Sequence, residues 1–341
     1  MLPMSRVGIK DIARSAGVSI ATVSHAFRNP NRVSDKTREK VLDAANRLGY
    51  TPNRHAVGLR TARSGNIVVV IPDIADSYNT EIIKGIESVA HGRSYSVLLG
   101  DTQGSAERER EFAAMVRSRQ ADGIILMSHR LPFDLPDDVA PEDIPPLVNG
   151  SEYVGNEAIP SVSIDDKQGG KDATRHLIDL GHKRIAIVTG DKNSTSTRGR
   201  LEGFREVMSE SGLTVDEDLI IYGQYRTSDG EAAANKLMIR DELPTAVFCF
   251  GDEIALGCMH TLKRAGLVIP KDISVIGFDD IPFARYFAPS LTTVAQPARE
   301  IGQTCASLLL DLIDGVYPEN NRVILPHTLV VRSSTQRVNQ K

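Results

Sequence analysis

Apolar positions fall at helical spacing through the first fifty residues, then change to short continuous runs alternating with helical stretches. Ile9, Ile12, Ala13 and Ala16 sit at i, i+3, i+4 and i+7, one face of a helix. Gly17 follows where a tight turn needs positive φ. Ser19 is placed to cap a second helix through Thr22 and Phe27. With Val23 and Phe27 facing inward, Ile20, Ala21, His25 and Arg28 point outward. Ser34 caps a third helix, Asp35 to Leu48, whose inner face is read as Val41, Leu42, Ala45 and Leu48, closed by Gly49. A helix, a glycine turn and a short helix with small and polar outer positions form the helix-turn-helix pattern. The second helix of such a pair fits the major groove and reads base edges.

Thr51 and Pro52 then open a segment, 51–64, with the cap and first-turn residues of a helix too short to stand alone in water. Strands and helices alternate beyond it. The pattern predicts strands at 67–71, 95–99, 123–127, 162–164, 184–188, 246–250, 274–277 and 323–331. Helices are predicted at 79–91, 106–119, 167–180, 198–210, 253–264 and 297–313. Such alternation, in two similar halves, implies two lobes with parallel sheets and helices on both faces. Ligands bind such folds at the carboxyl ends of the strands, here between the lobes. The expected organisation is therefore a head (1–50), a hinge helix and linker (51–64) and a two-lobed α/β body (65–341).

Charge sharpens this division. Residues 1–63 hold 12 basic and 4 acidic side chains, whereas the remainder holds 28 basic and 40 acidic. A basic head on an acidic body points to nucleic acid as the head's partner. No run of about 18 apolar residues exists, so no membrane span is expected. The N-terminus lacks the apolar core of a secretory signal, which makes the cytoplasm the expected location. Cys249, Cys258 and Cys305 have no metal-like or redox-like spacing and read as buried small hydrophobes.

The run IKDIARSAGVSIATVSHAFRNPNRVSDKTREKVLDAANRLGYTPNRHAVGLR resembles the head of the LacI-type family of bacterial transcription regulators. IPDIADSYNTEIIKGIE, PSVSIDDKQGG, LGHKRIAIVTG, STSTRGRLEGF, PTAVFCFGDEIALG, DISVIGFDDIPFARYFAPSLTTVAQP and LVVRSST resemble the periplasmic-binding-protein-like body of the same family. Within it the likeness is greatest to the cytidine-responsive repressor subgroup, through IPDI with EIIKGIE, LLGD, SHRLPFD, PPLVNGSEY and GHKRIA. The resemblance implies a repressor that binds a pseudo-palindromic operator in double-stranded DNA as a homodimer. A small effector between the lobes, a nucleoside or a sugar, would control its affinity. Position by position, it assigns base reading to Ile20, Ala21 and His25, and DNA backbone contacts to Asn29, Tyr50 and Arg54. It gives the minor groove to Leu59 and Arg60, with Gly58 a departure that weakens the hinge helix. Effector contacts fall on Tyr78, Asn79, Asn149, Arg200, Tyr225, Asp252 and Asp279. Asn79 replaces a usual aromatic and Asn149 a usual Asp.

The chemistry of those types is coherent. A buried carboxylate and an arginine serve both sides of a polyol's hydroxyls, and an aromatic face stacks on a ring. Arg200 and Asp279 could instead simply pair with each other. Two other classes compete. Asp165-Asp166 and Asp279-Asp280 could serve glycoside hydrolysis. However, adjacent side chains diverge, and no nucleotide-binding, zinc-protease or serine-hydrolase motif is present, so neither catalysis nor a cofactor nor a metal is expected. A transport binding protein would share the body but would lack a basic head.

Overall fold

The computed structural model describes residues 7–28, 32–50, 63–135 and 140–338. They fall into two compact units, divided between residues 62 and 63.

The first unit is a three-helix cluster: α1 (Ile9–Ala16), α2 (Ile20–Arg28) and α3 (Asp35–Leu48). Gly17 and Gly49 take left-handed φ of 66° and 64° and end α1 and α3. The Ser19 hydroxyl accepts the Thr22 amide at 3.0 Å, and Ser34 accepts that of Thr37. Ile12, Val23, Ala26, Val41, Ala44 and Ala45 make the core. Leu42, expected inside, is exposed, and Ala44 takes its place. Positions 41, 44, 45 and 48 follow the i, i+3, i+4, i+7 rule, and 42 lies off that face.

The second unit holds two six-stranded sheets. The first has the order β11-β5-β4-β3-β1-β2, from β1 (Asn66–Ile71), β2 (Ser96–Asp101), β3 (Gly123–Leu126), β4 (Leu147–Gly150), β5 (Ser161–Ile164) and β11 (Arg322–Leu325), all parallel. The other has the order β12-β10-β9-β8-β6-β7, from β6 (Ile185–Val188), β7 (Ile220–Ile221), β8 (Ala246–Cys249), β9 (Ser274–Asp279), β10 (Thr292–Ala295) and β12 (Thr328–Val330). Only β12 runs antiparallel to its neighbour there. In each sheet the order reverses at the strand that opens the lobe, β1 or β6, which places a crevice outside the carboxyl ends.

The chain passes between lobes after β5, after β10 and between β11 and β12. The single final strand expected at 323–331 is thus two strands in different sheets. Pro326 interrupts the run, removing an amide the ladder would need. Strands β4, β7 and β10 and helix α8 (Thr227–Met238) were not anticipated. The other body helices are α4 (Ser77–Gly92), α5 (Ala106–Arg117), α6 (Asp166–Asp179), α7 (Thr195–Glu210), α9 (Asp252–Arg264) and α10 (Ala298–Ile313). Helices pair by close backbone approach at small residues: a Cβ on Gly170 of α6 would fall 2.4 Å from the Arg200 carbonyl oxygen of α7. That approach sets where the Arg200 side chain begins. All three cysteines are buried and free.

Candidate functional site

In the first unit, Ile20 and Ala21 at the start of α2 are exposed, and His25 is half-buried. Val23 and Ala26 point the other way, into the core. Helical periodicity therefore presents 20, 21 and 25 on one side and anchors the helix by the opposite face. Tyr50 is half-buried, with its ring 5.9 Å from that of Phe27. Asn29, Arg54, Leu59 and Arg60 lie outside the described residues, as does the hinge segment through residue 62.

In the body, a cavity of ≈ 450 Å³ opens between the lobes. Its wall comes from the segments that follow β1, β2, β3 and β4 in one lobe and β6, β7, β8 and β9 in the other. Tyr78, Asn79, Arg200, Tyr225 and Asp279 line it. Seven non-glycine residues have positive φ among the described residues, and four of them, Gln103, Ser151, Tyr225 and Asp279, are on this wall. Held left-handed backbone costs about 1–3 kcal/mol per residue and gathers where ligands are gripped.

Arg200 is buried on α7 and fixed on three sides. Its Nε donates to Asp166 Oδ1 at 2.8 Å, its Nη1 to the Phe250 carbonyl, and its guanidinium lies 3.6 Å from the centre of the Phe278 ring. The arginine therefore pairs with Asp166, not with Asp279. Burial opposes its charge, but the fields of Asp166, Tyr225 and Asp279 outweigh that and raise its pKa.

Asp279 ends β9 and accepts from Gln296 Nε2 at 2.7 Å through Oδ1. Its Oδ2 makes no hydrogen bond among the described residues. Burial pushes its carboxyl well above the usual range, against the pull of Arg200. A carboxyl so placed can accept from, or donate to, a ligand hydroxyl. The Tyr78 hydroxyl donates to Gln296 Oε1 at 3.0 Å and bonds Ser151 Oγ at 2.7 Å. The Tyr225 hydroxyl bonds Thr197 Oγ1 at 2.6 Å, and burial pushes its pKa up to about 12.

Two expected contacts do not reach the cavity. Asn149 lies in the middle of its sheet, fully buried, donating to the Leu126 and Ser128 carbonyls at 2.8 and 2.9 Å. Both acceptors lie at the end of β3 and just beyond it, so the amide ties β4 to that one neighbour. Asp252, the first residue of α9, is also fully buried. It accepts from the Ile281 amide at 2.9 Å and the Thr293 hydroxyl at 2.7 Å, so it braces the loop after β9. Burial pushes its carboxyl up to about 7, with those two donors pulling down.

Several wall residues escaped the sequence reading. Glu109 is 2% exposed and takes Ser128 Oγ at 2.9 Å and Arg130 Nη2 at 3.0 Å. Glu152, after β4, reaches the other lobe: it accepts the Ser194 hydroxyl and the Thr195 amide at the start of α7, where a helix favours negative charge. Glu253 of α9 accepts Ser77 from the first lobe and Thr227 from its own. Glu152 and Glu253 lie far in sequence from the hydroxyls they bind across the cleft. The Ser/Thr run at 194–197 was the only hint of a helix start awaiting a carboxylate.

Residues 8–53 match the family described as bacterial regulatory proteins, lacI family, and residues 174–335 match the periplasmic binding protein-like domain. The HTH-type transcriptional repressor CytR of Escherichia coli (strain K12) is 37% identical over 328 residues, 96% of either chain. Among solved structures, the lac repressor dimer bound to operator and the anti-inducer ONPF superposes with a TM-score of 0.81 at 28% identity, over 97% of this chain and all of that one. A LacI family transcriptional regulator from Enterococcus faecium with bound ribose gives 0.71 at 30% identity, over 80% of this chain and all of that one. With its helix-turn-helix head and two-lobed sensor body, the chain belongs to the LacI family of bacterial transcriptional regulators.

Proposed function

We propose that this chain is a cytoplasmic repressor that grips a pseudo-palindromic operator as a homodimer and releases or tightens its grip when an uncharged nucleoside or sugar enters the cleft. The carrying observation is the balance of charge on the cavity wall. Seven carboxyls line it, Asp73, Asp76, Glu109, Glu152, Asp191, Glu253 and Asp279, against three arginines. Arg200 is committed to Asp166, Arg130 and Glu109 offset each other, and burial favours the neutral form of Asp279, which leaves Asp73, Asp76, Glu152, Asp191 and Glu253 against the exposed Arg226. A phosphate or carboxylate would meet repulsion there, whereas hydroxyls find acceptors. The relatives favour the same class: one regulator is seen with ribose, and the lac repressor is seen as a dimer bound to operator.

Asp279 and Arg200 are the grip on ligand hydroxyls, with Tyr78 or Tyr225 against the ring. The cavity binds its ligand without turning it over. Ile20, Ala21 and His25 read bases, Asn29, Tyr50 and Arg54 hold the DNA backbone, and Leu59 with Arg60 enters the minor groove. Calorimetry of the full chain with cytidine, ribose and cytidine 5′-phosphate tests the effector class. At least one neutral compound should bind, and the phosphate at least tenfold more weakly. A phosphate that binds more tightly would overturn the charge argument. DNA selected from a random pool tests the head: His25→Ala should change the consensus, and Arg54→Ala should weaken all sites alike and flatten the salt dependence.

A further inference from the structure

One helix runs from the cavity to the start of the body, and each of its ends is clipped by polar side chains. At the cavity end, Gln296 immediately precedes Pro297, the residue that caps α10. It donates to Asp279 Oδ1 at 2.7 Å, accepts the Tyr78 hydroxyl at 3.0 Å, and gives its amide to the Asp279 carbonyl at 3.3 Å. Both partners are cavity wall.

At the far end, α10 stops at Ile313 and Asp314 caps it. Arg63, where the body begins, donates to Asp314 Oδ1 at 2.6 Å and to the Ile313 carbonyl at 2.7 Å. Arg93 donates to Asp314 Oδ2 at 2.6 Å and to Asp311 at 2.7 Å. Cations belong at this end of a helix, where the last carbonyls lack partners. The adjoining Ser64 and Gly65 are held by a different element: Asp122, just before β3, accepts both amides at 2.6 and 2.8 Å.

Between its ends α10 spans 16 residues, about 24 Å of helix. It lies tight on α4, the helix that carries Tyr78: a Cβ on Gly302 would fall 2.0 Å from the Ile82 carbonyl oxygen, and one on Gly85 would fall 2.1 Å from that of Arg299. Packed helices of this kind move as units, by shifts of about 1–2 Å.

We propose that α10 is the strut that couples the cleft to the DNA-binding head, with Gln296 and Asp314 as its positioning residues. A ligand that takes a hydroxyl contact on Asp279 or Tyr78 competes with Gln296 and frees the start of the helix. A shift of α10 then carries Arg63 with it while Asp122 holds Ser64 and Gly65 still. The backbone direction changes at 63–64, where the chain leaves for the hinge. The proposal rests on the reading of the head as a DNA binder, but it needs no particular effector.

A double-mutant cycle on the full chain tests it without a ligand. Operator affinity would be measured for the wild type, Gln296→Ala, Asp314→Ala and the double variant, on a duplex selected by the wild type. Residues this far apart normally act independently to within about twofold. The strut predicts that the double variant departs from the product of the single effects by threefold or more. It also predicts that Asp314→Glu, which keeps the pair with Arg63, restores wild-type coupling, a rescue that mere loss of stability would not give. Should Asp314→Ala melt early, Asp314→Asn replaces it. Independence within twofold overturns the proposal. A wild type that selects no DNA sequence removes the DNA-binding reading and the strut with it.

Discussion

The two lobes share a strand order and differ in how they hold an arginine at the cavity. In the lobe built on β6, Arg200 and Asp166 are 6% and 14% exposed, and the guanidinium is braced by a carbonyl and a ring as well. In the lobe built on β1, Arg130 is 37% exposed beside a Glu109 carboxylate that is 3% exposed. The first pair is committed before any ligand arrives, and its geometry costs nothing further at binding. The second keeps one side in water and can adjust. A closing cleft thus brings an adaptable wall against a fixed one.

The largest test of that contrast is removal of the cations. Arg200→Ala strands a buried carboxylate and should cost about 3–5 kcal/mol in chemical denaturation. Arg130→Ala should cost clearly less, because Ser128 still donates to Glu109 and water reaches the site. Equal losses would abolish the distinction between the lobes.

Stability should also fall as pH rises, and in a different window for each lobe. Burial raises Asp76, in the first lobe, to about 6 and Asp252, in the second, to about 7. A carboxyl whose folded pKa is raised contributes stability below its unfolded value near 4, and that contribution is lost as pH climbs through the folded value. Denaturation midpoints from pH 4 to 8 should therefore decline, the Asp76 share ending near 6 and the Asp252 share near 7. Asp252→Asn should make the decline shallower from about pH 4 to 7. An Asp252→Asn midpoint that falls with pH as steeply as the wild type would overturn the Asp252 assignment.

Asp279→Ala comes next. Loss of a hydrogen bond to a charged partner is worth about 1.5–3 kcal/mol, so effector affinity should fall roughly tenfold to a hundredfold by calorimetry. Ligand-free operator affinity should shift in the same direction as in Gln296→Ala, because the substitution also removes the side-chain clip between Asp279 and Gln296. Smallest is Tyr225→Phe, which removes the bond to Thr197 and should cost about 1 kcal/mol of stability. A larger loss would mean that this tyrosine belongs with Arg200 among the fixed parts.

Much of this is legible in the sequence alone. The apolar runs at 67–71, 123–127, 246–250 and 274–277 could only be buried strands, and parallel sheets follow from their spacing. Helix α8 was hidden because its sequence, TSDGEAAANKLM, packs through small residues and shows no apolar stripe. Gly230 lies against the Ile254 carbonyl, where any Cβ would clash. Strand β7 is two residues long and carries too short a pattern to recognise. At the site, Asp279 and Asp252 look alike in sequence, each within two residues of a glycine and a phenylalanine. One ends a strand and opens to the cavity, while the other begins a helix and turns into the protein. That difference depends on pairs such as Asp252 with Thr293, which only the folded chain brings together.

The final two strands impose an order on manufacture. β11 completes one sheet and β12 the other, and α10 is made just before them. A ribosome working at about 5–20 residues per second finishes the three-helix head on the order of tens of seconds before it delivers residues 298–330. The head's contacts are local and form quickly, whereas the sheets gain β11 and β12 only once residues 322–330 have been made. During that interval the open edges of β5 and β10, both covered in the finished protein, are the strands most exposed to pairing with another chain. Every nascent copy is for that time a DNA-reading head attached to a sensor that cannot yet respond.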